Sequence, residues 1–247
     1  MDYHFYNLTL FAVGCVYDKN NHRKFYHCGR MPSVSMNILR FITHKHTVQT
    51  TALVQQCCNA VLKSGVFPDR LKYAIVKPIY KKGSKTDISN YRPISILTSF
   101  SKIFEKIIYN RLYTHLEMNN ILACEQFGFR MQHSTEQATF SLIDCILMAM
   151  NKKQVVGGIF CDLHKAFDNV QHKILLDKLK FYGIDGKFKI LIESYLNNRH
   201  QKVSLESRNQ NKNSLDWARI NCGVPQGSIL GPLLFFNLYK RFTFISK

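Results

Sequence analysis

An apolar repeat runs along the chain between residues 101 and 118. Its members recur three, four, seven and eight positions apart, the spacing of one helix face: Ile103, Phe104, Ile107, Ile108, Leu112 and Leu116. A stripe of this length has to be covered by other elements, so the repeat predicts a packed core around a long helix. Ser99 or Ser101 is available as its N-cap residue.

Shorter helices and strands are predicted on both sides of this helix. One helical pattern begins near residue 48 and ends at Gly65, and others cover 135–153, 171–182 and 186–197. Strand patterns occur in "YAIVKPIYKKGSK", whose end is a lysine-rich turn, and in "YRPISILTS" (91–99), "GIFCDL" and "KVSLES". Because Pro78 cannot donate a ladder hydrogen bond, the first of these is expected to be an edge strand or a hairpin arm. The mixture predicts an α+β fold.

The chain carries a large excess of positive charge. Its 247 residues include 34 Lys and Arg against 16 Asp and Glu, a formal charge of +18. Nucleic acid is the commonest partner that offsets such an excess. The eight cysteines contain no Cys-x-x-Cys pair of a zinc site, so an intracellular, reducing compartment, cytoplasmic or nuclear, is expected. The one candidate leader, residues 5–17, is too short to cross a bilayer.

Asp162 ends the apolar run "GIFCDL". A carboxylate at the point where a buried strand meets solvent suits a hard cation such as Mg²⁺. A two-metal site needs at least one further acid, and Asp168 could equally cap the helix that follows. A polar turn without a metal is therefore the alternative interpretation of Asp162.

A second loop, "GVPQGSILGP", spans residues 223–232. Its glycines allow the backbone to approach a ligand closely, and the amide of Gln226 can both donate and accept hydrogen bonds. Taken alone, the same letters also fit an ordinary turn.

Six blocks stand in a fixed order: "FPDRLKYAIVKPIYKKG", "NYRPISIL", "SKIFEKII", "EQFGFR", "FCDLHKAFDNVQHKIL" and "GVPQGSILGPLLF". Together they resemble the reverse transcriptase domain of non-LTR retrotransposons of the Jockey-like or LINE kind, over residues 40–236. The resemblance implies right-hand polymerase fingers and a partial palm without a thumb. Residues 1–39 stay unassigned and 237–247 form a divergent tail. It also implies an RNA-directed DNA polymerase that adds dNTPs to a DNA primer on an RNA template.

The resemblance further assigns roles to single residues. Asp162 is similar to the first catalytic aspartate of the palm, which binds Mg²⁺ or Mn²⁺ together with the backbone carbonyl of Leu163. Phe167 resembles the steric gate that rejects a 2′-hydroxyl. The implied nucleotide contacts are Arg130 for the triphosphate, and Arg92 and Gln226. The implied phosphate contacts are Lys77, Lys81, Lys82 and Lys85, for which plain solvation is the alternative.

The sequence departs from the family where paired acids are expected. Members of the family continue into a hairpin with Tyr/Phe-x-Asp-Asp, whereas no two aspartates are adjacent here. Asp162 alone would neutralise two metal ions poorly, so we expect this polypeptide on its own not to polymerise. A non-catalytic RNA- or DNA-binding remnant of a transposable element is the alternative function. The sequence makes no prediction of the oligomeric state.

Overall fold

The computed structural model describes residues 9–10, 48–158, 160–163, 165–206, 212–214 and 216–239. Within these ranges the helices are α1 (Val48–Ser64), α2 (Ser99–Met118), α3 (Thr135–Asn151), α4 (His172–Phe181), α5 (Gly186–Leu196) and α6 (Gly231–Tyr239). The strands are β1 (Thr9–Leu10), β2 (Tyr73–Tyr80), β3 (Tyr91–Ile96), β4 (Cys161–Asp162), β5 (Arg199–Glu206), β6 (Lys212–Ser214) and β7 (Ala218–Ile220). A mixed α/β fold is thus confirmed.

The helix ends follow local signals in the sequence. Gly65 follows α1 with a φ of +73°, a conformation that glycine adopts without steric cost. The N-cap of α2 is Thr98, whose hydroxyl oxygen accepts a hydrogen bond from the N–H of Ser101 at 3.2 Å. The prediction of Ser99 or Ser101 as the N-cap is therefore wrong. At α3 the side chains of Ser134 and Gln137 form a reciprocal capping box.

The larger sheet has β2 in its interior. β2 pairs antiparallel with β3 and parallel with β5, and β5 also pairs antiparallel with β6 and β7. The prediction that Pro78 marks an edge strand is therefore wrong. The proline is tolerated because β5 pairs only with Tyr73–Val76, while Pro78 lies beyond that stretch, opposite Pro93 of β3. The other alternative, a hairpin arm, is confirmed, because β2 pairs antiparallel with β3, the next strand along the chain.

The predicted strand before Asp162 is present as the short strand β4. Its main chain pairs antiparallel with β1, with Asp162 opposite Thr9 and Cys161 opposite Leu10. The side chains of these residues lie outside the described part of the structure. Asp168 does not cap the next helix, because α4 has Gln171 at its N-cap and no side-chain cap bond there.

The core gathers around α2, as its apolar repeat predicted. Phe104, Ile107, Ile108, Leu112 and Leu116 are all buried. Helix α5 packs on α1 and α4, and α4 also packs on α6. Burying a side chain of this size is worth about 1.5–3 kcal/mol, so this cluster holds the helices around the site described below.

Helix α3 differs from the other helices. Ala138 is its one buried residue in the described part, whereas Phe140 is 76% exposed and Met148 56% exposed. A search of the described residues also finds no helix that is both long and apolar enough to cross a membrane.

Candidate active site

Residues 222–231, here called the glycine loop, are bound to the turn that follows Asp162. The N–H of Gly223 donates to the carbonyl of Val170 at 2.8 Å, and the N–H of Val224 donates to the carbonyl of Phe167 at 2.9 Å. The Nε2 of His172 lies 2.7 Å from the carbonyl oxygen of Gly223, so this ring nitrogen donates there. Two of the six sequence blocks thus share one hydrogen-bonded structure.

Gly223 is required by this close approach. Its φ is +89°, and a Cβ atom there would lie 2.9 Å from the carbonyl oxygens of both Phe167 and Asp168. Backbone oxygens cannot rotate away as a flexible side chain could, so any other residue would push the loop and the turn apart.

The opposite side of the glycine loop is bound to strand β3. The N–H of Ser95 donates to the carbonyl of Gln226 at 2.7 Å. Gly227 has a φ of +116°, and a Cβ atom there would lie 2.8 Å from the carbonyl oxygen of Ser95. The loop is therefore held by backbone contacts on both sides, while the half-buried side chain of Gln226 is not used in them.

A buried carboxyl group supports the loop from below. Glu105 of α2 is fully buried, and its Oε2 accepts the N–H of Ile229 at 2.7 Å while its Oε1 accepts the hydroxyl of Ser101 at 3.2 Å. Burial raises the pKa of Glu105, and the Ile229 N–H and the charge of Arg199 oppose this rise. Sequence reasoning missed Glu105, because a charged residue ordinarily indicates an exposed position.

Arg199 is the buried cation of the same region and was also missed. It is 1% exposed, its Nη1 donates to the carbonyl of Tyr195 at 3.1 Å, and its guanidinium carbon lies 4.7 Å from the centre of the Tyr195 ring. Within the described part of the chain, its Nε and Nη2 atoms are buried without a hydrogen-bond partner. The negative charge of Glu105 thus offsets part of the cost of burying the charged guanidinium of Arg199.

The predicted steric gate, Phe167, lies between the glycine loop and α6. Its carbonyl accepts the loop N–H described above, and its ring centre is 5.3 Å from that of Phe235. The side chain is half-buried and packs against the core. Phe167 and Gln226, two of the predicted nucleotide contacts, therefore lie on segments that are joined by a hydrogen bond.

The "EQFGFR" block also approaches α6. The rings of Phe129 and Phe236 lie 5.6 Å apart, and a Cβ atom on Gly128 would be 3.5 Å from Phe236. Arg130 follows in this block: its Nη1 donates to the carbonyl of Ala123 at 2.8 Å, and its Nε is buried with no hydrogen-bond partner in the described residues. A guanidinium group that keeps unused N–H donors can donate hydrogen bonds to the oxygens of a phosphate.

The predicted cations of the fingers lie on a different part of the sheet. Arg92 is half-buried on β3, three positions before Ser95, so its side chain leaves the opposite face of the strand. Lys77, opposite Ile94, shares that face. The hairpin lysines Lys81, Lys82 and Lys85 are exposed.

The described residues alone do not complete a metal centre. No group of three or more His, Cys, Asp and Glu side chains lies close together in the described part of the chain. Asp162 and the carbonyl of Leu163 would supply two oxygen donors, whereas Mg²⁺ is coordinated octahedrally by carboxylates, waters and substrate phosphates.

Comparison with known proteins gives consistent matches. Residues 79–243 match the family described as reverse transcriptase (RNA-dependent DNA polymerase). The probable RNA-directed DNA polymerase from transposon BS of Drosophila melanogaster is 38% identical over 185 residues, which is 72% of this chain and 19% of that protein. The RNA-directed DNA polymerase from mobile element jockey of Drosophila melanogaster is 39% identical over 178 residues, with the same two coverages. Its counterpart in Drosophila funebris is 37% identical over 186 residues, 75% of this chain and 19% of that protein.

The chain spans about a fifth of the length of these relatives, since each match covers 19% of the relative. The family match runs past residue 236, the predicted end of the domain, and the division into 1–39, 40–236 and 237–247 stays a prediction. The comparisons do not favour the non-catalytic remnant. The chain belongs to the reverse transcriptase family, as a reverse transcriptase domain of the non-LTR retrotransposon kind.

Proposed function

We propose that this chain forms the fingers and part of the palm of an RNA-directed DNA polymerase and that the glycine loop is the floor of its nucleotide site. One observation carries this proposal: the N–H of Val224 donates to the carbonyl of Phe167 at 2.9 Å. This bond joins the loop of Gln226 to the residue that resembles the steric gate. Both residues would face the sugar and base of one incoming dNTP.

The loop is suited to this task because its backbone is fixed while the amide of Gln226 remains available. The carbonyl of Gln226 is bound by Ser95, and the position of the Phe167 ring is set by Phe235. Side chains mounted on a rigid backbone discriminate small differences in ligand shape, such as a 2′-hydroxyl, better than mobile ones.

Arg130 would hold the triphosphate. One of its donors is used by the carbonyl of Ala123, which orients the guanidinium. The second terminal nitrogen of the guanidinium would donate to a phosphate oxygen. Arg92 would contact the nucleotide or the template, and Lys77, Lys81, Lys82 and Lys85 would contact phosphates.

Asp162 and the carbonyl of Leu163 would bind Mg²⁺ or Mn²⁺. A bound ion of this kind activates the attacking oxygen and stabilises the leaving one. Because no two aspartates are adjacent in the sequence and Asp162 alone would neutralise two ions poorly, we expect no polymerisation by these 247 residues alone.

The partners in this proposal are an RNA template, a DNA primer and dNTPs. The charge of +18 supports a polyanionic partner. An intracellular, reducing compartment fits the sequence, because several of its eight cysteines lie within apolar runs, where a thiol behaves as a small hydrophobe.

A binding experiment tests the nucleotide site without requiring chemistry. The chain is mixed with an RNA template and a DNA primer that ends in a dideoxynucleotide, and the complex is challenged with rising salt. The next complementary dNTP is expected to make the complex resist salt, whereas a mismatched dNTP is not. If neither dNTP has an effect, the glycine loop is not a nucleotide site.

The Phe167→Ala variant tests the gate in the same assay. Removal of the ring is expected to let the complementary ribonucleotide protect the complex about as well as the dNTP, because the 2′-hydroxyl no longer meets an obstacle. Phe181→Ala is the matched control, since Phe181 is 55% exposed at the end of α4. An equal preference for dNTP in Phe167→Ala and in the unaltered chain would show that Phe167 is not the steric gate.

Primer extension tests the expected inactivity. The unaltered chain is incubated with an unblocked primer, the RNA template, dNTPs and either Mg²⁺ or Mn²⁺, beside Asp162→Ala. We expect no extension by either protein. Extension by the unaltered chain that Asp162→Ala abolishes would show that its acids are sufficient.

A further inference from the structure

Two aromatic rings are exposed on one face of the sheet. Tyr73 of β2 is 42% exposed, and Trp217, just before β7, is 43% exposed. Their ring centres are 4.9 Å apart and their planes are perpendicular. The Tyr73 ring also stacks on His200 of β5, at 5.2 Å and an interplanar angle of 14°. We name Tyr73, His200, Lys202 and Trp217 the aromatic face.

The register of the strands explains why these side chains lie together. Tyr73 is opposite His200, so their side chains leave the same face of the sheet. Ala74 and Val76 alternate with Tyr73 along β2 and are buried on the inner face. The chain therefore places small apolar residues inward here and large aromatic ones outward.

The aromatic face also carries positive charge. The Nζ of Lys202 lies 5.0 Å from the centre of the Trp217 ring. Arg219 is opposite His200 in the register and is exposed. Asp216, exposed beside Trp217, is the acid nearest to it along the chain. Cations above and beside the rings argue against an apolar protein partner and favour an anion that also offers flat, unsaturated rings.

We propose that the aromatic face binds single-stranded RNA, with bases stacked on Trp217 and Tyr73 and phosphates bound by Lys202 and Arg219. Exposed aromatic rings with interleaved cations are what a strand of unpaired bases requires, because every base has a face that can stack. The proposal deepens the proposed function, since the strand would be the template, and it rests on residues other than those of the glycine loop.

Lys77 and Arg92 extend this surface toward the hairpin. The register sets Ile75 opposite Lys202 on one side and Ile96 on the other, and Lys77 follows two positions later on the same face. Arg92 lies opposite Ile79 of that face. A strand that starts on the aromatic face could therefore continue across β2 over cations.

The sequence supplies a direct probe, because Trp217 is its single tryptophan. The fluorescence of Trp217 is recorded while the full chain is titrated with a ten-nucleotide single-stranded RNA, with the same sugar–phosphate chain lacking bases, and with duplex RNA. Quenching by the single strand alone is expected, since only its bases are free to stack. Equal quenching by the abasic chain would overturn the proposal in favour of phosphate contacts only.

Substitutions test the affinity. Tyr73→Ala is expected to weaken binding of the single strand about ten-fold, whereas Tyr73→Phe retains it, because the ring and not the hydroxyl is used. Phe140→Ala is the matched control: Phe140 is 76% exposed on α3, away from the aromatic face, and its loss is expected to change nothing. An equal loss in Tyr73→Ala and Phe140→Ala, or no loss in either, would overturn the proposal.

Lys202→Gln provides a second variant that preserves the strand. It is expected to lower the slope of log affinity against log salt by about 0.7, the value of one phosphate contact on a single strand. An unchanged slope would show that Lys202 does not contact a phosphate of the RNA.

Failure of this proposal can be told apart from failure of the proposed function. Phe167→Ala is expected to leave the quenching of Trp217 unchanged, because the gate lies on the glycine loop. If RNA quenches Trp217 but dNTPs have no effect on the complex, the aromatic face binds RNA and the glycine loop is not a nucleotide site. If dNTPs protect the complex but RNA does not quench Trp217, the glycine loop is a nucleotide site and the aromatic face does not bind RNA.

Discussion

The glycine loop and the aromatic face differ in how their polar groups are used. In the loop, the N–H groups of Gly223, Val224 and Ile229 all bond to other parts of the chain. On the aromatic face, Tyr73 and Trp217 are both more than 40% exposed. The loop is thus a positioned element, whose contacts are already made within the chain. The face is an available surface, whose rings can still meet a ligand.

This difference predicts where substitutions act. A residue that is wedged between backbones affects stability first, because its neighbours cannot move. An exposed ring on a formed sheet affects binding and leaves folding nearly unchanged. The two regions are therefore separable by measuring unfolding and RNA binding on the same variants.

The largest effect is expected from Glu105→Ala. The change leaves the Ile229 N–H unpaired and Arg199 buried without its negative neighbour, so we expect a loss of about 3–5 kcal/mol in the free energy of unfolding in urea. Glu117→Ala is the matched control, because Glu117 is exposed on the same helix. Equal losses in the two variants would show that Glu105 does not support the loop.

Glycine substitutions in and outside the loop give the next effect. Gly227→Ala is expected to cost about 2–3 kcal/mol, because it combines a φ of +116° with a contact of 2.8 Å to the Ser95 oxygen. Gly186→Ala is the comparison: its φ is +63° but nothing lies within 4 Å of its Cβ, so about 1 kcal/mol is expected. Urea unfolding measures both, and equal costs would mean that the loop can yield to the methyl group.

The helices were predictable because their signals are local. The apolar repeat of α2 and the glycine after α1 lie within the elements that they define. The interior position of β2 was not predictable, because it depends on β5, which pairs with it from more than a hundred residues later in the chain. Pro78 gave a correct local signal, but it did not show how far the pairing with β5 extends.

The site was predictable in part. The order of the six blocks predicted that Phe167 and Gln226 belong to one site, and the hydrogen bonds bring their segments together. The burial of Glu105 and Arg199 was not predicted, because a charged residue ordinarily indicates an exposed position and no local rule overrides this. The role of Asp162 stays a prediction, since its side chain lies outside the described residues.

A pH titration of stability separates the buried carboxyl group from its exposed neighbours. Burial raises the pKa of Glu105 in the folded chain above its usual value of 4.5, so the folded state holds the proton more tightly than the unfolded state. The contribution of Glu105 to stability is then fully present below the unfolded pKa and is lost as pH rises through the folded pKa.

Glu105→Gln checks this direction. Urea unfolding at successive pH values above 4.5 is expected to show the free energy of unfolding falling more steeply with pH in the unaltered chain than in Glu105→Gln, which has no proton to lose. The amide still offers an oxygen to the Ile229 N–H. A steeper fall in the variant would mean that Arg199 holds the carboxylate charged.

The smallest effect is expected from the hairpin lysines. It separates the contribution of phosphate contacts to RNA binding from the contribution of base stacking on the aromatic face. Lys81→Ala is expected to weaken single-stranded RNA binding a few-fold and to lower the salt slope by about 0.7, because one phosphate contact is lost. The maximal quenching of Trp217 should stay the same, since the bases still reach the aromatic face. Lys173→Ala on α4, also exposed, is the matched control. If Lys81→Ala abolished the quenching itself, the RNA would be bound mainly through phosphate contacts to the hairpin lysines. The rings of the aromatic face would then not contribute to binding.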